Sequence, residues 1–221
     1  MYLPNLLIFG KIQYIIIKGC VTLKYILWDI DGTLIKTGRA GLKALEQAMF
    51  DLYGEHIQID FSCAGRTDYF IAGQLVQLVK NQPVDAAAEI PKILKRYQEL
   101  LPDLLSHYKP LGAIMPNVIP ILEYLHNNPD YTSVLLTGNL IEGARAKMRC
   151  YGLDKYFSYE LSGFGDQKSL RNEIARECLE KIRAHDLSVT TDDLLVIGDT
   201  LHDIECADHI GVRCLAVATN G

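Results

Sequence analysis

Two carboxylates, Asp29 and Asp31, come directly after a short apolar segment with the length and composition of a buried strand. The predicted strand covers residues 24–29, so both acids should lie at its carboxyl end, where open parallel sheets bind their ligands. One carboxylate at such a place can attack an electrophile, while the second transfers a proton or shares a cation. An acidic turn after a buried strand would show the same pattern, so the choice depends on the rest of the sequence.

A second acidic pair, Asp199 and Asp203, follows the apolar segment 194–198 late in the chain. Acids at the start of a helix would favour its dipole, but beside the first pair they create a conflict. Carboxylates about 4 Å apart repel by roughly 4 kcal/mol at an effective dielectric constant near 20. A hard divalent cation removes that repulsion, and carboxylate, carbonyl and water oxygens suit Mg²⁺. The predicted ligands are the Asp29 carboxylate, the Asp31 backbone carbonyl and Asp199, with Asp203 as a ligand or a partner of the ligands.

Between the two acidic pairs lie a hydroxyl group and two cations that a phosphate site could use. Thr137 ends a β-branched segment, and the backbone amides of Gly138 and Asn139 could add donors to a phosphate oxygen. Thr137 could also cap the helix that follows it, a role compatible with binding phosphate. Lys168 and Arg171 stand at the start of another helical pattern, where one cation could neutralise the charge that develops on a phosphoryl group.

These motifs, in this order, resemble the four-motif set of the haloacid dehalogenase superfamily. They read Asp-x-Asp-Gly-Thr, then Thr, then a basic residue, then Gly-Asp-Thr-x-x-Asp, and the resemblance spans roughly residues 23–220. It implies that Asp29 is the nucleophile, which takes up a phosphoryl group as an aspartyl-phosphate. Asp31 would protonate the leaving oxygen and then deprotonate the attacking water.

The resemblance also suggests roles for three basic residues. Arg171 follows a Phe-Gly pair and resembles the form of the third motif that uses Arg, whereas Lys168 fits relatives with a Lys at the helix start. The family's common Lys-Pro pair is absent here. The turn 65–68 resembles the family's substrate-specificity loop, so Arg66 could bind an anionic leaving group, or it could be a solvated loop residue.

The elements that must position these residues alternate between strand-length apolar segments and helical patterns. This alternation predicts an α/β fold, a Rossmann-like parallel sheet with helices on both faces. The predicted strands cover 24–29, 132–136, 157–161, 194–198 and 212–217. The predicted helices lie near 117–127, 141–151, 170–184 and 201–208.

Residues 37–110 interrupt the alternation with several helical patterns and no convincing strand. The block is far longer than a crossover connection needs, so it predicts an inserted helical cap. We therefore predict a core domain of residues 21–36 and 111–221, a helical cap of residues 37–110, and an N-terminal extension, 1–20, of uncertain role.

Composition excludes several classes of function. A net charge of −5 and the lack of any Lys/Arg cluster argue against nucleic acid as a partner. No apolar run reaches the length that spans a bilayer, so we expect no membrane partner. The six cysteines show no metal-ligand spacing and favour buried thiols in a reducing, cytoplasmic compartment.

The sequence thus predicts a cytoplasmic Mg²⁺-dependent hydrolase of a small phosphorylated metabolite, similar to phosphoglycolate phosphatases. A phosphomutase of the β-phosphoglucomutase type would keep both early acids and stays open as an alternative. A haloalkanoate dehalogenase needs no metal and lacks an acid at the position of Asp31. A catalytically silent binding or regulatory protein would not need the set of four acids.

Overall fold

A four-stranded parallel sheet lies at the centre of the computed structural model, which describes residues 23–79 and 85–218. The predicted extension, residues 1–20, lies outside this range. The strands are β1 Tyr25–Trp28, β2 Ile35–Lys36, β3 Ala113–Ile114, β4 Thr132–Leu135, β5 Leu194–Gly198 and β6 Arg213–Ala216. The order in the sheet is β4-β1-β5-β6, and all of these pairs are parallel. Because β1 is central, the residues that follow it are flanked by those that follow β4 and β5.

Helices cover both faces of the sheet. They are α1 Ala40–Tyr53, α2 Asp68–Val76, α3 Ala86–Tyr108, α4 Val118–His126, α5 Ile141–Tyr151, α6 Arg171–His185 and α7 Leu201–His209. Alternate residues of a strand point to opposite faces, so Tyr25 and Leu27 pack in one hydrophobic cluster with α6 and α7. Ile26 and Trp28 pack in another cluster with α4 and α5. The predicted α/β fold with helices on both faces is confirmed.

The prediction of a strand at 157–161 was wrong. A short 3₁₀ helix, Asp154–Tyr156, precedes this segment, whose backbone then meets β4 at separate points. The Ser158 N–H donates to the Ser133 carbonyl oxygen at 3.0 Å, and an isolated bridge joins Leu136 to Gly163. The Ser162 hydroxyl accepts a hydrogen bond from the Leu135 backbone N–H, at 2.9 Å. Since a side chain takes the place of a backbone carbonyl, the edge of β4 is satisfied without a regular ladder.

Helices α1, α2 and α3 form a hydrophobic cluster of their own within the segment predicted as a cap. Strands β2 and β3 form a small antiparallel pair where the chain enters and leaves this segment. Leu140 also joins the cluster, so the three helices pack against the start of α5. The division into core and cap, with its boundaries at 37 and 110, stays a prediction.

Within the described residues, no helix is both long and apolar enough to cross a membrane.

Candidate active site

The carboxyl ends of three neighbouring strands bring the predicted residues together. Asp29 and Asp31 follow β1, Thr137 follows β4, and Asp199 follows β5. Gly32, directly after Asp31, turns the chain with a φ of 95°. A Cβ atom at Gly32 would lie 2.3 Å from the Asp199 Oδ2 atom, so only glycine lets this carboxylate approach the β1 turn.

Asp29, Asp199 and Asp203, here called the acid cluster, each offer an oxygen within 4.8 Å of the others. Asp29 and Asp203 are almost fully buried. Burial raises the pKa of Asp29 to about 8; Arg171 opposes this rise, and the acids around it add to it. An acid set with this much unfavourable charge has the oxygen donors and the electrostatics that suit a hard divalent cation.

Arg171, the first residue of α6, is the cation that reaches the acid cluster. Its Nη2 atom donates to Asp29 Oδ1 at 3.1 Å and to the Leu136 carbonyl oxygen at 3.1 Å, and it also donates to Asp203 Oδ1. Burial disfavours its charge, but Asp29 and Asp203 raise the pKa of Arg171 above its ordinary value. The guanidinium therefore stays protonated between two buried carboxylates.

Lys168 lies outside the acid cluster. Its Nζ atom pairs with Glu177 of α6, and its side chain is 28% exposed. The two basic candidates thus differ in their contacts: Arg171 lies against Asp29, and Lys168 lies against Glu177.

Asp203 is held by its own helix. Its Oδ2 atom accepts hydrogen bonds from the Thr200 N–H, at 3.0 Å, and from the Thr200 hydroxyl, at 2.7 Å, in a capping box at the start of α7. Its other oxygen accepts from Arg171. With both oxygens engaged, Asp203 is better placed to orient Arg171 than to bind a cation directly.

Thr137, Gly138 and Asn139 form a tight turn after β4. The Thr137 hydroxyl accepts hydrogen bonds from the Asn139 N–H, at 3.3 Å, and from the Asn139 side-chain Nδ2, at 2.7 Å. The same Nδ2 atom donates to Asp31 Oδ2 at 2.9 Å. The Asn139 backbone amide, predicted as a phosphate donor, is therefore turned toward Thr137, and its side chain is turned toward Asp31.

The alternative role for Thr137, capping the helix after it, was wrong. The Leu140 and Ile141 backbone N–H groups at the start of α5 donate instead to Asp68 Oδ2, at 2.9 Å, and to Asp166 Oδ2, at 3.0 Å. Both carboxylates come from segments remote in sequence, which a local capping pattern does not show.

Lys147 is a site residue that the sequence analysis missed. Its Nζ atom donates to Asp31 Oδ2 and to Asn139 Oδ1, both at 2.5 Å, and its side chain is only 5% exposed. A signal was available: Lys147 falls between Ala144 and Met148 on the apolar stripe of α5, where a charged residue needs a buried partner.

The loop 63–67, which carries Arg66, packs on the carboxyl edge of the sheet. A Cβ at Gly65 would lie 2.7 Å from the Thr200 hydroxyl oxygen, and a Cβ at Gly138 would lie 2.3 Å from the Arg66 carbonyl oxygen. The Arg66 guanidinium is exposed and stacks over the Phe70 ring, 4.8 Å from its centroid. The backbone of this loop is therefore at the site, while the Arg66 side chain lies against Phe70 of α2.

Asp68, at the start of α2, joins this loop to the core and was also missed. Its N–H donates to the Gly138 carbonyl oxygen at 2.8 Å, while its carboxylate accepts from Leu140. Burial raises the pKa of Asp68 to about 6, although Lys147 and the Leu140 N–H oppose the rise. Asp68 therefore holds the loop against the turn after β4 through one hydrogen bond that it donates and one that it accepts.

We next compared the chain with known protein families and with curated proteins. The family model described as haloacid dehalogenase-like hydrolase matches residues 26–217. No curated protein matches the chain.

Solved structures share the fold at low sequence identity. CbbY from Rhodobacter sphaeroides, in complex with phosphate, is 18% identical with a TM-score of 0.67, and the match covers 87% of this chain and 84% of that one. A protein from Clostridium acetobutylicum, provisionally assigned as a phosphatase, is 17% identical with a TM-score of 0.65, over 90% and 86% of the two chains. A protein from Lactobacillus plantarum, provisionally assigned as a phosphoglycolate phosphatase, is 20% identical with a TM-score of 0.59, over 87% and 84%.

Proposed function

This chain belongs to the haloacid dehalogenase-like hydrolase family, and we propose that it is a Mg²⁺-dependent phosphatase of a small phosphomonoester metabolite. The observation that carries the proposal is the position of Asp29, which is buried in the acid cluster, bonded to Arg171 at 3.1 Å, and close in sequence to the more exposed Asp31. Such a site holds one carboxylate for attack and a second for proton transfer.

The residues at the carboxyl edge fit a divalent cation. Asp29 and Asp199 would hold it through carboxylate oxygens and Asp31 through its backbone carbonyl, while Asp203 would orient Arg171. When bound, the cation would neutralise charge on the phosphoryl oxygens and on the acids. The raised pKa of Asp29 supports this assignment, because a nearby cation would favour the ionised carboxylate that the reaction needs.

The reaction would proceed in two displacements at phosphorus. In the first, Asp29 forms a bond to phosphorus, the bond from phosphorus to the ester oxygen breaks, and Asp31 gives its proton to the departing oxygen. In the second, Asp31 takes a proton from water, whose oxygen bonds to phosphorus and releases Asp29 and inorganic phosphate. Thr137 and the Gly138 amide would bind phosphoryl oxygens, and Arg171 would orient the Asp29 carboxylate for attack and stabilise the charge that returns to it in the second displacement.

The loop 63–67 supports a small substrate. Because its backbone packs on Thr200 and Gly138, a closed loop would exclude bulk water and leave no room for a folded macromolecule. Arg66 would have to leave the Phe70 ring to meet an anionic leaving group. Arg66→Ala would then reduce kcat/KM for a metabolite with an anionic leaving group and leave turnover of an aryl phosphate with an uncharged leaving group almost unaffected.

A panel of phosphorylated metabolites and one aryl phosphate, assayed with Mg²⁺ and after metal removal, tests the proposal. We expect hydrolysis that requires Mg²⁺ and is lost in Asp29→Asn, whereas Asp103→Asn, at an exposed position of α3, keeps wild-type rates. Full activity of metal-stripped protein would contradict the metal assignment and favour dehalogenase chemistry. Turnover that needs a sugar bisphosphate and gives an isomer would favour the phosphomutase.

A further inference from the structure

We propose that Lys147 is a positioning residue, which holds the Asp31 carboxylate in the orientation that proton transfer to the leaving group requires. This inference rests on the proposed phosphatase function. The direct observation is the 2.5 Å contact between Lys147 Nζ and Asp31 Oδ2. Because the two residues lie 116 positions apart, on α5 and after β1, the contact depends on the fold and not on local sequence.

The contact belongs to a closed triangle of polar groups. Lys147 donates to Asn139 Oδ1 at 2.5 Å, and Asn139 Nδ2 donates to the same Asp31 Oδ2 atom at 2.9 Å. Asn139 is fixed in turn by the Thr137 hydroxyl, at 2.7 Å. Two donors therefore meet one oxygen of Asp31 from rigid neighbours, which leaves the other oxygen, Oδ1, as the one to exchange the proton.

The Asp31 side chain needs these hydrogen bonds to hold its orientation because it is partly exposed to solvent. It is 46% exposed, so alone it could turn among several rotamers. The Lys147 side chain is 5% exposed, and its aliphatic part lies on the apolar stripe of α5. A buried ammonium group persists only where good partners offset its desolvation, which makes Lys147 a rigid anchor for a mobile carboxylate.

A purely structural role is the competing explanation, because Lys147 also exerts a favourable charge effect on the buried Asp68. In that role Lys147 would stabilise the closed loop and α5, and its removal would act independently of Asp31. The two explanations differ in whether the effects of Lys147 and Asp31 on catalysis are coupled.

A double-mutant cycle on the Mg²⁺-loaded protein separates them. Wild type, Lys147→Met, Asp31→Asn and the double variant are assayed with an alkyl phosphate, whose poor leaving group needs a proton. We expect Lys147→Met to lower kcat by about 10- to 100-fold with KM nearly unchanged, a fraction of the gain that general acid–base catalysis supplies. In the Asp31→Asn background the same substitution should change kcat by less than about 2-fold. Arg149→Met, at an exposed position of α5, is the matched control and should keep wild-type kcat.

Each other outcome has a definite meaning. Losses that multiply in the double variant, or a loss confined to KM, would overturn the positioning role and leave the phosphatase proposal intact. Absence of hydrolysis by the wild type would overturn the phosphatase proposal and this inference with it. Thermal unfolding is recorded for every variant, and if Lys147→Met does not fold, the cycle is run with Lys147→Gln, which keeps a hydrogen-bond donor without the charge.

Discussion

Arg171 and Lys168 are three residues apart, yet their surroundings give them different roles. Arg171 is buried between Asp29 and Asp203, whereas Lys168 pairs with Glu177 at a partly exposed position. We expect Arg171→Ala to reduce kcat by about 100-fold or more, the magnitude typical of losing one group that stabilises transition-state charge. Lys168→Ala should stay within about 3-fold of wild type, since a partly exposed ion pair contributes little. Steady-state kinetics of both variants on one substrate tests this, and the reverse order of effects would transfer the role to Lys168.

The burial of Asp29 also leads us to expect that the stability of the protein depends on pH. Burial raises the folded-state pKa of Asp29 to about 8, above its ordinary value of 3.8, so the folded protein binds this proton more tightly than the unfolded chain. Stability then falls as pH rises from about 4 towards 8. In metal-free protein, Asp29→Asn removes the penalty and should raise the free energy of unfolding by on the order of 1–3 kcal/mol at pH 8, and by less at pH 5.

Urea unfolding in the presence of EDTA at the two pH values measures this effect, with Asp103→Asn as the control. An Asp29→Asn variant that is less stable than wild type at pH 8 would show that the bond to Arg171 outweighs the burial of the charge.

Among the elements, the loop 63–67 and the turn after β4 approach each other closely through their backbones. A Cβ at Gly138 would lie 2.3 Å from the Arg66 carbonyl oxygen, and backbone atoms cannot yield cheaply. Gly138→Ala should therefore displace the loop and lower kcat/KM for a small metabolite by about 10-fold or more. The displaced loop should also expose the bond after Arg66 to faster cleavage by trypsin.

Gly143 offers the matched control within α5. A Cβ there would meet atoms only at 3.6 Å or more, an ordinary contact distance. Gly143→Ala should keep wild-type activity and trypsin resistance, with slightly higher stability, because alanine is favoured over glycine inside a helix. Equal effects of the two substitutions would mean that the loop contact at Gly138 has no special role.

The elements also show what the sequence could predict. The predicted strands at 24–29, 132–136, 194–198 and 212–217 agree with β1, β4, β5 and β6 to within a residue or two, because buried parallel strands appear as continuous apolar segments. Strands β2 and β3 have two residues each, too few to leave a periodic pattern. The segment 157–161 has strand-like composition, but it meets β4 through isolated backbone hydrogen bonds and the Ser162 hydroxyl, without a regular ladder.

The site was predictable to the extent that its residues belong to local motifs. The acids after β1 and β5 could be placed at one edge, because the carboxyl ends of parallel strands meet there. Lys147 and Asp68 could not be placed, since Asp31 lies 116 positions from Lys147 and Leu140 lies 72 positions from Asp68. Such contacts depend on how helices dock, which single-sequence patterns do not encode.

For the whole molecule, the proposed binding of a cation at the acid cluster would be coupled to the protonation of Asp29 and to stability. A cation that binds Asp29 must displace its proton, so Mg²⁺ should bind more tightly at pH 8 than at pH 6. Mg²⁺ should also raise the thermal unfolding temperature, and by more at pH 8, because a ligand that binds only the folded state stabilises it. Titration calorimetry and thermal melts at both pH values measure this, with Asp29→Asn as the variant that should lose most of the response. Equal responses of wild type and variant would place the cation elsewhere.

The central claim, that Asp29 carries the phosphoryl group, is tested most directly by trapping the intermediate. An acyl phosphate is reduced by borohydride to an alcohol, which would convert Asp29 into homoserine, a change that peptide mass spectrometry can locate. The trapping is done during turnover of an activated aryl phosphate with Mg²⁺, on wild type and on Asp31→Asn, in which slow water attack should let the intermediate accumulate. We predict homoserine at position 29 in both proteins, with more in Asp31→Asn, and none without substrate. Active protein that yields no homoserine, or homoserine at a carboxylate other than Asp29, would contradict the account.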